Sequence, residues 1–226
     1  HYNSENASLM PALINTVIMT LLSLLLAVPI GIFSAIFLAE YAGKGNKFVD
    51  IIRLTTETLS GIPSIVYGLF GMLFFVSTCH WGFSLLAGAF TLAIMILPLI
   101  MRTTEEALLS VPDSYREGSF GLGAGKLRTV FYIVLPSAVP GILAGVILAI
   151  GRIVGETAAL IYTAGSVAQV PSSVLGSGRT LAVHMYLLAS EGLYMDQAYA
   201  TAVILLVLVV VINTVSGIVA KRLTKA

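Results

Sequence analysis

The sequence predicts an all-α fold, a polytopic helical bundle embedded in a membrane. Three observations point there. Hydrophobic residues fill 58% of the 226 positions and charged residues only 10%, against about 25% charge in an ordinary soluble domain. Mean hydropathy is +0.98. Five separate apolar stretches are long enough to cross a hydrocarbon core of about 30 Å as helices. So little polarity cannot clothe a soluble domain, which excludes a cytosolic enzyme, a disordered tail and a nucleic-acid binder. A net charge of +1 excludes a globally basic surface. The single cysteine, Cys79, permits no intrachain disulfide and no zinc or iron–sulfur spacing.

The five stretches are residues 13–38, 59–76, 85–100, 138–162 and 198–219, each bounded by polar, Gly or Pro residues. All are expected to be helices, because lipid offers an open strand no partner for its backbone. In span one, Pro29 and Gly31 mark a bend, read either as a static packing kink or as a gating hinge. Glu57 precedes span two and either faces the cytoplasmic mouth or belongs to a solvated helix end. His80 and Trp81 close span two as an interfacial anchor, with Cys79 as an apolar filler beside them.

Basic residues stay on the cytoplasmic side of a membrane protein. Lys44, Lys47 and Arg53 fall between spans one and two, and Arg102, Arg116, Lys126 and Arg128 between spans three and four. Lys221, Arg222 and Lys225 follow span five, so ten of the 12 Lys and Arg share one side. The expected location is the cytoplasmic (inner) membrane, with the N-terminus of this chain outside and its C-terminus inside. Residues 1–9 are polar and lack the charged start and apolar core of a signal peptide. An external N-terminus without that signal leads us to expect a preceding span, the sixth of a longer protein.

The chain reads as one transmembrane domain over residues 1–226, with an external loop at about 164–197. Within that loop, residues 180–189 fit a short amphipathic helix at the interface. Gly176-Ser177-Gly178 is a turn, without the Gly-Lys-Ser/Thr ending of a phosphate-cradling loop. Arg179 either greets an anion or a partner there, or caps and snorkels at the interface. His184 reads as a packed residue.

Residues 103–134 form a cytoplasmic loop. Glu105, Glu106, Arg116, Glu117, Lys126 and Arg128 alternate with Leu108, Leu109, Phe120, Leu122, Leu127 and Phe131, the pattern of a charged loop that docks against something. Pro112 interrupts a first helical stretch. Ser114 and Glu117 fit a capping box for a new helix, Gly123 and Gly125 end it, and Leu135-Pro136 opens span four, where proline suits the first turn.

Glu117-Gly118-Ser119, three residues, Gly123, nine residues, Ile133, one residue and Leu135-Pro136 resembles the cytoplasmic loop of ABC-importer permeases. Their pattern is Glu-Ala-Ala, three residues, Gly, nine residues, Ile, one residue, Leu-Pro. The spacing agrees at every step, and Gly118-Ser119 replaces Ala-Ala. Gly118 lowers helix propensity by up to ~1 kcal/mol, yet both residues stay small enough for another surface to approach closely. The resemblance implies a type I importer permease (MetI-like) core and a coupling helix seated in a groove of an ATPase subunit. A cap at Glu117 and a helix end at Gly123 explain those residues singly, but not the spacing to Ile133 and Leu135-Pro136.

Span four carries Gly151-Arg152-Ile153-Val154-Gly155-Glu156-Thr157. Arg152 lies sixteen residues after Pro136, about 24 Å along a helix. A charge at that depth costs at least ~2.5 kcal/mol and needs a partner or a wet cavity. Glu156, four residues on, shares its helix face and can pair with it. Gly141, Gly145 and Ala149 form one stripe of small residues, and Gly151, Gly155 and Ala159 a second. Such stripes admit neighbouring helices, so span four is expected at the centre of the bundle with two packed faces. A guanidinium there offers an oxyanion a planar five-donor fork, while Glu156 either holds that fork between transport events or accepts a proton. The competing reading is an ion pair that fixes helix register, although such pairs add little stability.

Together with Ser60-Gly61-Ile62-Pro63-Ser64-Ile65-Val66-Tyr67-Gly68-Leu69-Phe70-Gly71, the Arg152 segment resembles the PstA-type permeases of phosphate importers. That resemblance implies inward transport of inorganic phosphate by alternating access, with Arg152 and Glu156 lining the pathway. It also implies a PstC-type sister permease as heterodimer, two ATPase subunits carrying ATP-Mg, and an external phosphate-binding protein. The chain itself is expected to bind no nucleotide, cofactor or metal and to be no enzyme. Two other functions stay open: an importer permease for sulfate or molybdate, and a proton-coupled secondary carrier using Glu156. An intramembrane hydrolase lacks support, with no HExxH motif and no nucleophile–base pair at depth.

Overall fold

The structure, a computed structural model, describes residues 8–42, 46–192 and 194–223, with side chains up to residue 218. The polar start over residues 1–7, together with Lys44 and Lys225, lies outside the described residues, as do the side chains of Lys221 and Arg222. The described residues form nine helices and no strand: α1 (Leu9–Tyr41), α2 (Lys47–Ser60), α3 (Ser64–Thr78), α4 (Leu85–Leu109), α5 (Asp113–Gly121), α6 (Lys126–Val154), α7 (Ala158–Ile161), α8 (Leu181–Glu191) and α9 (Met195–Leu223). Helices α1, α4, α6 and α9 are each long and apolar enough to cross a membrane, and α2 with α3 meets the same measure of length and apolarity only as a pair, bent by 101° at the break between them. Each expected span has its counterpart, with shifted ends.

The break lies at Gly61-Ile62-Pro63. Pro63 biases the residue before it away from the helical region, and Gly61 caps α2. Tyr67 Oη then donates to the Leu59 carbonyl at 2.7 Å, tying α3 back to the last turn of α2. The second passage therefore begins afresh at Ser64. Residues 47–60, expected as a basic loop and the start of that span, form an amphipathic helix whose Asn46 cap accepts from the Phe48 N–H at 3.0 Å.

Helix α4 is the most enclosed span, with 61% of its apolar window inside the fold against 28% for α6. The central position expected for span four thus belongs to span three. Met19, Leu92, Ile96 and Leu160 build the core around it. Helix α1 presses on α4 at Gly31, where an added Cβ would come within 2.7 Å of Ile100 Cγ2; Gly31 serves close packing. Helix α6 packs on α4 through its first small-residue stripe: a Cβ at Gly141 would meet that of Ala107 at 2.6 Å, one at Gly145 would overlap Thr103, and Ala149 is buried. The second stripe packs only at Ala159, which is buried beyond the end of α6. A Cβ at Gly151 would meet nothing within 4 Å, and Gly155 is exposed.

Helix α4 continues past Ile100 to Leu109, so Arg102, Glu105 and Glu106 sit on its final turns and not in a loop. Helix α6 begins at Lys126, ahead of Pro136. A π-helical turn at Val130–Val134 widens the backbone just before that proline and accommodates its ring and missing N–H. Leu135-Pro136 thus opens the α-helical part of α6, with proline in its first turn as expected, while the helix as a whole runs on from Lys126. At its other end α6 stops at Val154 with Gly155 as cap, short of the expected end at Tyr162.

Helix α8 is a core element and not an interfacial one, since Leu181, Val183, His184 and Leu188 are buried. The irregular chain before it is clamped to α1. Asn15 Nδ2 donates to the carbonyls of Gln169 (2.9 Å) and Arg179 (3.1 Å), and Thr16 Oγ1 accepts from the Leu181 N–H at 2.9 Å.

Candidate functional site

The end of α6 at Val154 separates the two charges expected to pair. Arg152 occupies the last helical turn, where the C-terminal dipole favours a cation. Glu156 lies beyond the Gly155 cap, 8% exposed, and its Oε1 accepts from the Ala159 N–H at 3.1 Å. It caps α7, and among the described residues no carboxylate forms an ion pair with Arg152. Four-residue spacing brings side chains together only along an unbroken helix, and Gly155 breaks this one. Helix α7 in turn lies on α3, where a Cβ at Gly68 would come within 2.8 Å of Ala159 Cα.

Arg152 instead faces a cavity of about 580 Å³ between α2, α4 and the ends of α1 and α6. Arg53, Glu57 and Ser60 enter it from α2, Arg102, Glu105 and Glu106 from α4, and Leu38, Pro98 and Leu99 supply apolar wall. Arg53 Nη2 meets Glu105 Oε1 at 2.6 Å, and Arg102 Nε meets Glu106 Oε1 at 2.9 Å. Because Gly141 faces Ala107 and Gly145 faces Thr103, moving up α6 means moving back along α4. That register sets Arg152 level with Ile96, roughly 13 Å along α4 from Glu105, and Pro98 and Leu99 line the cavity with it. Solvent access rises in the same direction: Arg152 is half-buried, while the Arg53 and Arg102 side chains are 47% and 63% exposed. The result is a polar funnel in an apolar bundle, with an uncompensated guanidinium at its deep end. Glu57 lines the cavity from the last turn of α2 and is itself exposed.

The second region is α5. It starts directly after Pro112, and no side chain caps it; Ser114 and Glu117 are both exposed on the helix. The expected capping box is therefore absent, because the proline sets the boundary ahead of the hydroxyl. Glu117 and Gly118 face solvent, and Ser119 Oγ lies 2.8 Å from Thr129 Oγ1, fastening α5 to the start of α6. Gly123, at φ +83°, turns the chain through the left-handed region that glycine adopts without strain. Gly118, Ser119, Gly123 and Ile133 line a surface hollow of about 540 Å³. Beside it Phe120 is exposed and Leu122 is 91% exposed. Leu135 packs toward the α4–α6 core and Pro136 is exposed.

Sequence reasoning missed what holds α5 in place. Arg116 Nη2 meets Glu40 Oε1, at the end of α1, at 2.7 Å. The same guanidinium donates to the carbonyls of Leu108 (2.9 Å) and Val111 (2.7 Å) at the end of α4. Hydrogen bonding to Glu40 raises the Arg116 pKa above its ordinary value, so the charge is fixed. Arg53–Glu105 was missed likewise, since no local pattern links residues 52 or 76 positions apart. Arg179 is 6% exposed where the loop meets α1, so it does not stand at an outer surface. Trp81 stacks on Phe75 and abuts Phe90, both at 5.3 Å, as part of an aromatic cluster.

Residues 27–226 match the family model described as "Binding-protein-dependent transport system inner membrane component". The probable ABC transporter permease protein YqgI of Bacillus subtilis (strain 168) is 37% identical over 217 residues, covering 89% of this chain and 74% of that protein. The phosphate transport system permease protein PstA 2 of Mycobacterium bovis is 42% identical over 154 residues, 68% of this chain and 50% of its own length. PstA of Haemophilus influenzae is 40% identical over 161 residues, 71% of this chain and 56% of its own. The chain thus spans about half the length of these phosphate-permease relatives. Among solved structures, the inward-facing MetNI methionine ABC transporter aligns with a TM-score of 0.74 at 20% identity, over 96% of this chain and 94% of that one. A bacterial ABC transporter involved in alginate import aligns with a TM-score of 0.74 at 16% identity, over 99% and 81%. These likenesses establish the fold as that of a MetI-like importer permease.

Proposed function

The chain belongs to the family of binding-protein-dependent transport system inner membrane components, and on that premise we propose that it is the permease subunit of an ATP-driven phosphate importer. The observation that carries this reading is Arg152, a guanidinium kept without a carboxylate at the deep end of a solvent-reached cavity. A half-buried cation with no fixed counter-ion suits a ligand that arrives as an anion and leaves again. The similarity to phosphate permeases supports phosphate as that anion.

In this account the end bearing α5 faces the cytoplasm. Two ATPase subunits carrying ATP-Mg seat against α5 through Glu117, Gly118, Ser119 and the Gly123 turn, with Ile133, Leu135 and Pro136 setting how α6 leaves that surface. A PstC-type sister permease completes the pathway, and an external binding protein delivers phosphate to the opposite end. ATP binding draws the ATPases together and moves α5. Arg116 passes that displacement to the ends of α1 and α4, which closes the funnel and opens the far side. Phosphate oxygens then accept from the Arg152 fork in place of lost water. Hydrolysis resets the funnel, and phosphate leaves toward the Arg53 and Arg102 pairs. Glu156 takes part by capping α7, not by holding Arg152.

The test is ATP-driven uptake of labelled phosphate by the reconstituted complex. Inhibition by arsenate and indifference to sulfate are expected. Uptake inhibited only by sulfate, or driven by a proton gradient without ATP, would overturn the reading.

A further inference from the structure

We propose that Arg53 is a second oxyanion station, on the exit side of Arg152, whose hold on the transported anion is limited by Glu105. The inference rests on the phosphate-importer reading and deepens it, assigning how the anion is let go.

Three features of the cavity lead there. Arg53 shares its lining with Arg152, so an anion leaving the deep end toward solvent passes it. Its Nε and Nη2 both donate to a single oxygen, Glu105 Oε1, at 2.9 and 2.6 Å. That two-donor face is the one a phosphate would engage, so carboxylate and phosphate compete for the same atoms. The pair also joins different elements, Arg53 on α2 of the broken span and Glu105 on the central α4. Arg102–Glu106 lines the same cavity but differs in the other two features: it spans one turn of a single helix and uses Nε alone, and both its side chains are 63% exposed. It is a solvated rim pair.

The charges explain why two stations work better than one. Arg152 has no carboxylate and takes the anion first. Arg53 has one, so phosphate gains the guanidinium only by displacing Glu105, and the carboxylate recovers it. Three guanidiniums in the cavity are matched by Glu57, Glu105 and Glu106, so the funnel as a whole does not trap an anion. Removing the Glu105 charge would leave Arg53 free to retain phosphate on the ATPase side.

The experiment uses the whole complex in vesicles with the ATPases and ATP inside, unlabelled inorganic phosphate preloaded in the lumen, and labelled phosphate supplied on the binding protein. Glu105→Gln is expected to lower the lumenal phosphate concentration that halves uptake by about threefold, the scale of losing one partly exposed ion-pair competitor. Arg53→Gln alone is expected to raise that concentration above wild type, and Arg53→Gln/Glu105→Gln to abolish the increased sensitivity. Unchanged sensitivity in Glu105→Gln, or increased sensitivity that persists in the double variant, would overturn the proposal. If Glu105→Gln fails to assemble, Arg53→Gln decides, since unchanged sensitivity there overturns it equally. Wild-type complex that imports no phosphate would sink the functional reading instead, independently of the variants.

Discussion

Arg116 and Glu40 join the exposed helix α5 to the end of α1 through a 2.7 Å ion pair whose side chains are only 15% and 7% exposed. With its further bonds to Leu108 and Val111 carbonyls, one side chain bolts α5 to the ends of two spans. A loop merely resting on the bundle could slide. In the proposed mechanism this bolt is what passes a displacement of α5 to the spans.

Arg116→Ala is therefore expected to uncouple the assembly without detaching it. Removing one partner of a mostly buried pair strands the Glu40 charge, at a cost on the order of 3 kcal/mol. The docking surface of α5 stays intact. ATPase should still co-purify, while phosphate moved per ATP hydrolysed falls severalfold. An unchanged ratio would contradict the role.

Glu117→Lys should behave in the opposite way. No capping bond uses Glu117, so the permease should keep its helix content and thermal midpoint. Co-purification of the ATPase should be lost. A variant that unfolds the permease, or one that retains the ATPase fully, would remove Glu117 from the docking surface.

Gly68→Val tests the contact that seats α7. Its Cβ would sit 2.8 Å from Ala159 Cα, and overpacking of this kind costs about 1–3 kcal/mol. A lowered thermal midpoint in detergent is expected. Wild-type stability would mean that α3 and α7 part easily.

Glu156→Gln should preserve near-normal uptake with an unaltered pH profile, since an amide oxygen can still accept from the Ala159 N–H. Glu156→Ala should lower both stability and uptake. Loss of uptake in Glu156→Gln with a shifted pH profile would restore a proton-accepting role.

The five passages were legible because length and apolarity alone decide what crosses lipid. Their arrangement was not. Lipid is as apolar as leucine, so hydropathy does not say which helix is central; α4 is, although α6 carries the glycine stripes. Those stripes were half informative: Gly141 and Gly145 pack, while Gly151 and Gly155 do not. The loop pattern read Gly123 and Gly125 as ending a helix, which stops at Gly121 just before the positive φ of Gly123, but Pro112 displaced the helix start read at Ser114. Arg152 was readable as a charge needing a wet site, yet its partner was misread because one glycine ended the helix first. The Arg53–Glu105 and Arg116–Glu40 pairs depend on tertiary packing between distant segments.

The central claim is that the Arg152 guanidinium meets the travelling anion, and the most direct measurement is phosphate uptake by complexes carrying Arg152→Gln or Arg152→Lys, normalised to assembled ATPase. The account predicts that Arg152→Gln abolishes uptake while assembly persists, and that Arg152→Lys retains a reduced fraction, having charge without the fork. Near-normal uptake in Arg152→Gln would contradict it.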